Sequence, residues 1–266
     1  VLREVRRLLP LEDVVFVGDT ARQPYGPQPV KDVRRYACEI TGYLAAQGAK
    51  LVIIACNTAS VAGQEVAQAS FPDLPVLGMI GPGVRAALAD SQSNRIGVWG
   101  TALTVDNRAY DKLILQLEPQ MEVLGAVCPE LLRLAEKGQI DDRPYLLDLA
   151  NEYYQPLAEF EADTLILGCT DLTCVRDIAE EAAGLGVTVV DPAEELVREA
   201  REILLKMGAL KLSSGEQPDY RFSITGDDVS GFATFTERFL DLSHADVEQI
   251  ALAELQSAAS EIEDCS

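Results

Sequence analysis

Hydrophobic and polar positions along the chain alternate between two patterns. Short runs of continuous apolar residues, typical of buried strands, are separated by longer stretches with helical periodicity. The runs predict strands at Val14–Val17, Leu51–Ala55, Val76–Met79, Arg95–Trp99, Glu122–Ala126, Thr164–Leu167, Val187–Val190 and Tyr220–Thr225. The periodic stretches predict helices from Val1 onward and at Val30–Gln47, Val61–Ser70, Thr104–Leu117, Leu172–Ala183, Gly231–Leu240 and, as an acidic and fraying tail, Val247–Ser266. Strands of this kind between helices predict an α/β fold with parallel sheets covered on both faces.

The number of predicted strands fits two doubly wound parallel-sheet α/β domains. A polar run, Asp-Ser-Gln-Ser-Asn at residues 90–94, predicts a boundary, and residues 210–219 resemble a loop that returns the chain to the first unit. We therefore predict a first domain formed by residues 1–92 together with 208–266, and a second domain formed by residues 93–207.

Composition and charge narrow the class of protein. The chain is 48% hydrophobic and 24% charged, as in soluble globular proteins, and no apolar run reaches the roughly 20 residues of a membrane-spanning helix. The net charge of −21, from 43 acidic and 22 basic residues, disfavours direct binding to nucleic acid or to an anionic membrane. Charges interrupt the first ten residues, so we expect no export signal and a cytoplasmic protein.

Six cysteines are scattered along the chain, at Cys38, Cys56, Cys128, Cys169, Cys174 and Cys265. No C-x-x-C pair occurs, and the single histidine, His244, gives no cysteine–histidine zinc pattern. We expect reduced thiols and no metal site. His244 is interpreted as a solvated side chain, and Cys38, Cys174 and Cys265 as structural or incidental.

Two cysteines follow predicted strands in matching contexts. Residues 51–60 read LVIIACNTAS and residues 164–173 read TLILGCTDLT, so Cys56 and Cys169 each lie at the carboxyl end of an apolar strand. Ligands of open parallel sheets bind beyond these ends, where helix N-termini point. Because a helix N-terminus lowers the pKa of a thiol, we expect the thiolate to be accessible near neutral pH.

The surrounding groups favour a small amino acid as ligand. Asn57, Thr58, Thr170 and Asp171 offer amide, hydroxyl and carboxylate groups, and exposed backbone N–H groups would hold a carboxylate. Two thiols on opposite sides of such a ligand suit racemisation, in which a thiolate removes a proton from one face and a thiol returns one to the other. We expect this to proceed without a cofactor. The alternative is that each cysteine is a small buried hydrophobe.

Three segments carry a family resemblance: FVGDTARQPYG at Phe16–Gly26, ACNTAS at Ala55–Ser60 and GCTD at Gly168–Asp171. In order and spacing the chain resembles the glutamate racemases of the aspartate/glutamate racemase superfamily. The resemblance implies two α/β domains with the active site in the cleft between them, usually as a dimer, and a D-glutamate product that enters peptidoglycan. It also implies acid/base roles for Cys56 and Cys169, and substrate contacts for Tyr25, Gly26, Asn57, Thr58 and Thr170.

Two departures from the family pattern leave alternatives open. The family's D-S-G-x-G-G loop, which supplies an aspartate and a serine to the site, is absent ahead of Val1, so we expect the given chain to begin inside a domain and catalysis without that loop to be badly impaired. Asp171 replaces the usual histidine, where it could disfavour a neighbouring thiolate, act as a base or bind the substrate ammonium. Other readings are therefore a racemase of aspartate or another amino acid, and a non-catalytic racemase-like protein that binds a basic partner.

Overall fold

The computed structural model describes residues 1–213, 217–240, 242 and 246–259, and it confirms the predicted α/β class. The α-helices are α1 (Leu2–Leu8), α2 (Val30–Ala46), α3 (Asn57–Ser70), α4 (Ile80–Asp90), α5 (Ala102–Asp106), α6 (Ala109–Leu117), α7 (Pro129–Glu136), α8 (Arg143–Glu159), α9 (Arg176–Ala183), α10 (Pro192–Lys206), α11 (Val229–Leu240) and α12 (Leu252–Ala259). The strands are β1 (Val14–Gly18), β2 (Val52–Ile54), β3 (Val76–Gly78), β4 (Arg95–Gly100), β5 (Glu122–Val127), β6 (Thr164–Gly168), β7 (Thr188–Val190), β8 (Tyr220–Ile224) and β9 (Val247–Gln249).

The chain forms two compact units, each built from separate stretches of sequence. Unit 1 comprises Val1–Ile54, Ala62–Leu77 and Val197–Ser266, and unit 2 comprises Ala55–Val61 and Gly78–Leu196. The division predicted from the sequence, after residues 92 and 207, remains a prediction.

Unit 2 contains a four-stranded parallel sheet in the order β5-β4-β6-β7. Strand β6 is buried at all five positions, with Leu165 and Leu167 packed in one apolar cluster and Ile166 in another. A strand buried on both faces needs apolar side chains in unbroken succession, which is the pattern the sequence shows. The register pairs Gly100 with Gly168, so β4 and β6 end at the same edge of the sheet.

The strands of unit 1 form two sheets within the described residues. Strands β1, β8 and β9 pair in that order and in parallel, whereas β2 pairs with β3. All five residues of β1 are half-buried, in contrast to the fully buried β6. An apolar cluster that includes Cys38 and Val52 packs beneath these elements.

The helix predicted at Thr104–Leu117 is wrong as a single element, because it consists of α5 and α6. Arg108 lies between them in the left-handed region, with a φ of 54°. Helix α5 packs Val105 against β5 at Gly125, whereas α6 buries Tyr110 in the cluster on one face of the sheet. The same apolar periodicity continues through both helices, so the pattern gives no sign of the turn.

The helix predicted at Leu172–Ala183 is also partly wrong. A 3₁₀ helix runs over Thr170–Val175, and the α-helix begins only at Arg176.

The tail differs from the predicted acidic, fraying helix. Val247–Gln249 form β9, which pairs with β8, and α12 follows with Leu255 fully buried. At Gly42 of α2 an added Cβ would lie 2.8 Å from the carbonyl oxygen of Ala258, so the absence of a side chain allows this close packing. The pairing partner β8 lies far away in sequence, and local periodicity does not reveal it.

No helix in the described residues is long and apolar enough to cross a membrane.

Candidate active site

The turn that carries Cys56 is held by hydrogen bonds on both sides. Helix α3 begins at Asn57 and not at the predicted Val61, which places Asn57 and Thr58 in its first turn. The Ser60 hydroxyl donates to the Cys56 carbonyl oxygen at 2.7 Å and accepts the backbone N–H of Met79 at 3.0 Å. The thiol of Cys56 is therefore presented from a fixed helix N-terminus.

The turn that carries Cys169 follows the last residue of β6. A Cβ added at Gly168 would lie 2.6 Å from the carbonyl oxygen of Trp99, so only glycine allows the two strands to approach this closely. Cys169 itself is 8% exposed and precedes the 3₁₀ helix at Thr170–Val175.

The structure brings these two turns together within unit 2. The Thr170 hydroxyl donates to the carbonyl oxygen of Ala55 at 3.4 Å, which links the two turns directly. The charge on a Cys56 thiolate raises the pKa of the Cys169 thiol, so the two sulfurs lie within electrostatic range of each other. Thr58 also contacts Thr101, at 3.0 Å between hydroxyl oxygens. The Cys-Asn-Thr and Cys-Thr-Asp segments thus form one group of polar side chains.

Asn57 is fixed by a residue that the sequence analysis missed. The hydroxyl of Tyr110 donates to Asn57 Oδ1 at 2.6 Å, and both residues are 1% exposed. Within the part of the chain that the structure describes, Asn57 Nδ2 has no hydrogen-bond partner. A buried, unpaired amide donor is costly unless a ligand accepts from it, and a substrate carboxylate is a suitable acceptor.

The helical periodicity around Tyr110, which makes it a buried position, is the one signal for this residue in the sequence. The hydroxyl contact to Asn57 depends on how α6 packs in the folded unit, and no local pattern encodes it.

The thiol pKa values differ from the expectation drawn from helix N-termini. Burial raises the pKa of Cys56, and the nearby charge of Asp171 adds to the effect; donors at Ala59 and Thr58 favour the thiolate but do not outweigh burial. For Cys169, burial, Asp171 and Cys56 together raise the pKa well above its ordinary value. The prediction of an accessible thiolate near neutral pH is therefore wrong, because desolvation of the charged sulfur raises the thiol pKa more than the helix N-terminus lowers it.

Asp171 is the ionisable group in direct contact with one of the sulfurs. Cys169 Sγ lies 3.4 Å from Asp171 Oδ2, with the thiol as donor. Burial raises the pKa of the Asp171 carboxyl, and the hydrogen bond from Cys169 acts in the opposite direction. Asp171 is thus a partly buried carboxyl group that lies beside the Cys169 thiol.

Tyr25 and Gly26 lie in unit 1, and their contact with substrate remains a prediction. The Tyr25 hydroxyl donates to the carboxylate of Asp19, which also pairs with Arg22 and accepts a hydrogen bond from Thr225. These contacts fix the loop that carries the D-T-A-R-Q-P-Y-G motif.

Two of the other cysteines are buried thiols. Burial raises the pKa of Cys128 to about 12, and Cys38 is fully buried in the core of unit 1. Cys265 and His244 lie outside the described residues. In the described ranges no three His, Cys, Asp or Glu side chains are grouped so that they could hold a metal ion.

Known proteins resemble this chain over nearly its whole length. The family model for Asp/Glu/hydantoin racemases matches residues 1–200. The glutamate racemase of Geobacter metallireducens is 39% identical over 252 residues, which cover 95% of this chain and 92% of the relative. The corresponding enzyme of Syntrophus aciditrophicus is 38% identical, with 95% of this chain and 92% of the relative covered.

Solved structures agree with these matches. The crystal structure of a glutamate racemase isoform from Bacillus anthracis superposes with a TM-score of 0.88 at 33% identity, covering 95% of this chain and 92% of that one. Glutamate racemase from Francisella tularensis, solved in complex with D-glutamate, gives a TM-score of 0.85 at 28% identity, covering 96% and 93% of the two chains. With its paired strand-end cysteines, the chain belongs to the Asp/Glu/hydantoin racemase family, among the glutamate racemases.

Proposed function

We propose that this protein is a glutamate racemase that interconverts L- and D-glutamate by proton transfer between two cysteines, without a cofactor. The observation that carries the proposal is the meeting of the two cysteine turns in one unit, where Thr170 bonds to Ala55 and the charge of a Cys56 thiolate raises the pKa of Cys169. The identity of 39% to a glutamate racemase over 95% of the chain supports glutamate as the substrate.

In this proposal Cys56 and Cys169 are the two acid/base residues. One thiolate removes the proton from Cα of the substrate, and the other thiol delivers a proton to the opposite face. Asn57, with its free amide donor, and Thr58 bind the amino acid on the Cys56 side. Thr170 and Asp171 border it on the Cys169 side, and Tyr25 and Gly26 contact it through their loop.

Raised thiol pKa values are compatible with this role because they make a strong base. A thiol that is hard to ionise yields a thiolate with a high proton affinity, which suits removal of a weakly acidic Cα proton.

We also propose that the protein is a cytoplasmic homodimer that supplies D-glutamate for peptidoglycan. This part rests on the family resemblance. Light scattering coupled to size-exclusion chromatography tests it, with twice the monomer mass as the expected result and a monomer at all concentrations as the contrary one.

The activity is tested by incubating the full-length protein with L-glutamate, and separately with L-aspartate, in buffer with a chelator and no added cofactor. Loss of the circular dichroism of the substrate measures racemisation. We expect it with glutamate and expect Cys56→Ser and Cys169→Ser each to abolish it. Racemisation of aspartate alone would overturn the choice of substrate, and full activity of either variant would overturn the two-cysteine mechanism.

A further inference from the structure

We propose that Arg22 is a positioning residue for the reaction, whose guanidinium holds the loop of Tyr25 and Gly26 in the conformation that binds the substrate. The inference rests on the proposed function, in which these two residues contact the amino acid. Arg22 acts through the loop and not by contact with the reacting atoms. Its basis is a buried network of charged side chains in unit 1, to which the proposed proton transfer assigns no role.

One part of the network joins Arg22 to the loop. Asp19 follows directly after β1, and its Oδ2 accepts a hydrogen bond from Arg22 Nε at 2.7 Å and another from the Tyr25 hydroxyl. Its Oδ1 accepts a hydrogen bond at 2.8 Å from the hydroxyl of Thr225, which follows the paired strand β8. A single carboxylate thus connects Arg22, Tyr25 and the neighbouring strand.

The other part of the network joins Arg22 to helix α2. Arg22 Nη1 donates to Glu39 Oε2, and Cζ of the guanidinium lies 3.9 Å from the centroid of the Tyr36 ring, in a cation–π contact. Tyr36 and Glu39 are three residues apart and therefore lie on one face of the helix. The Tyr36 ring also packs against the Tyr25 ring, with 5.7 Å between centroids. Helix α2 is thus the support against which Arg22 holds the loop.

Burial makes the loop dependent on this cation. The side chains of Arg22, Asp19 and Glu39 are 9%, 5% and 4% exposed. Burial lowers the pKa of Arg22, but the hydrogen bond to Glu39 and the charges of both carboxylates raise it more, so the guanidinium stays charged. Removal of one partner from a buried ion pair leaves the other charge without compensation, which is strongly unfavourable.

The shape of the guanidinium matters as well as its charge. Its Nε serves Asp19 and its Nη1 serves Glu39, whereas Nη2 has no hydrogen-bond partner in the described part of the chain. Lysine has one terminal nitrogen on a flexible stem, so it cannot reproduce two donors at a fixed angle. Arg22→Lys therefore keeps the positive charge and removes the simultaneous hold on the loop and on α2.

The competing possibility is that Arg22 only stabilises the fold of unit 1. In that case a variant is less stable, but its folded molecules bind glutamate as the wild type does, and KM does not change. If Arg22 positions the loop, contacts to substrate and transition state weaken alike, so KM rises while kcat changes little. Separate values of KM and kcat distinguish the two roles.

The first experiment is steady-state racemisation of glutamate by full-length Arg22→Lys, with folding checked by circular dichroism. We expect KM to rise about tenfold or more and kcat to stay within about threefold. Arg35→Lys is the matched control, because Arg35 lies 5.1 Å from the Tyr36 ring but is 43% exposed, and its ion pairs are with Asp32 and Glu39 of α2. The control should keep the wild-type KM. A wild-type KM in folded Arg22→Lys would overturn the role of Arg22.

A milder variant decides the matter if Arg22→Lys does not fold. Glu39→Gln keeps an oxygen acceptor for Arg22 Nη1 and removes only the negative charge, so the hydrogen bond is weakened and not lost. We expect KM for glutamate to rise about three- to tenfold, with kcat little changed. An unchanged KM in Glu39→Gln would then overturn the inference.

Hydrogen–deuterium exchange makes failure of this inference distinct from failure of the proposed function, because it needs no racemase activity. Peptide mass spectrometry of the full-length protein measures exchange in residues 19–28, where the backbone N–H groups of Arg22 and Gln23 donate to the Asp19 carbonyl at 3.2 Å. We expect Arg22→Lys to speed this exchange about fivefold or more and to leave exchange in β6 of unit 2 unchanged. Unchanged exchange in residues 19–28 would overturn the role of Arg22. Absence of glutamate racemisation in the wild type, with loop exchange still faster in the variant, would instead overturn the proposed function.

Discussion

The hydrogen bond between Tyr110 and Asn57 makes a prediction that can be worked from the structure. Tyr110→Phe removes one oxygen from a fully buried ring and keeps the packing of that ring in its apolar cluster. The lost bond is short, at 2.6 Å, and burial raises the pKa of Tyr110, so the hydroxyl stays protonated as the donor. In the variant, Asn57 Oδ1 loses this hydrogen bond, which no longer holds the amide in its orientation.

The magnitude follows from the cost of an unpaired buried polar group. Leaving one buried acceptor without its donor costs about 1–3 kcal/mol. If this free energy is lost from the binding of the substrate by the Asn57 amide, kcat/KM for glutamate falls roughly 5- to 150-fold, at about 1.4 kcal/mol per factor of ten. We expect the loss mainly in KM, because the amide binds the carboxylate in substrate and transition state alike.

The assay is steady-state racemisation of glutamate, followed by circular dichroism, together with urea unfolding of each variant. Tyr154→Phe is the matched control, because the hydroxyl of Tyr154 is also buried in unit 2 but bonds weakly to the Ala162 carbonyl at 3.5 Å. We expect the control to keep the wild-type KM. An unchanged KM and kcat in Tyr110→Phe, with folding intact, would refute the positioning of Asn57 by Tyr110.

Three further predictions concern other parts of unit 2. Gly168→Ala places a Cβ 2.6 Å from the Trp99 carbonyl oxygen, so the strands must separate beside Cys169; we expect at least a tenfold loss of kcat/KM, and wild-type activity would contradict the close approach. Cys128→Ala removes a thiol with a pKa of about 12 that has no role in the proposed reaction, and racemisation should stay within about twofold. Asp163 accepts hydrogen bonds from residues 91–93, and although burial acts against it, these bonds lower its pKa. Its stabilising effect is therefore present above the unfolded pKa of about 3.9 and is lost as the pH falls further, so urea unfolding of Asp163→Asn should lack this acid-dependent component.

Fold class and most strands could be predicted because their cause is local in the sequence. A strand such as β6, covered on both faces, needs an unbroken apolar run, and the run at Thr164–Leu167 matches the observed strand to one residue. Elements that depend on distant partners could not be predicted. Strand β9 exists through its pairing with β8, and the left-handed turn at Arg108 is hidden by continuous periodicity on either side.

In the candidate site, too, the features with a local cause could be predicted and those that depend on distant residues could not. The cysteines and their polar neighbours follow strands in the sequence, so their place at the carboxyl ends of strands could be expected. The contact of Tyr110 with Asn57 and the net direction of the thiol pKa values arise from tertiary packing. Burial raises the pKa of both thiols more than the helix N-terminus lowers it. The extent of burial at one residue depends on the folded structure, and the sequence pattern does not give it.

The most direct measurement of the two-thiol mechanism is the position of deuterium early in the reaction in deuterated water. Starting from L-glutamate or from D-glutamate, the account predicts label at Cα of the product enantiomer and none in the recovered substrate, because each thiol exchanges protons on its own face. Label that appears in the recovered substrate as fast as in the product would mean that one group exchanges protons with both faces of Cα. That result would contradict the two-thiol mechanism.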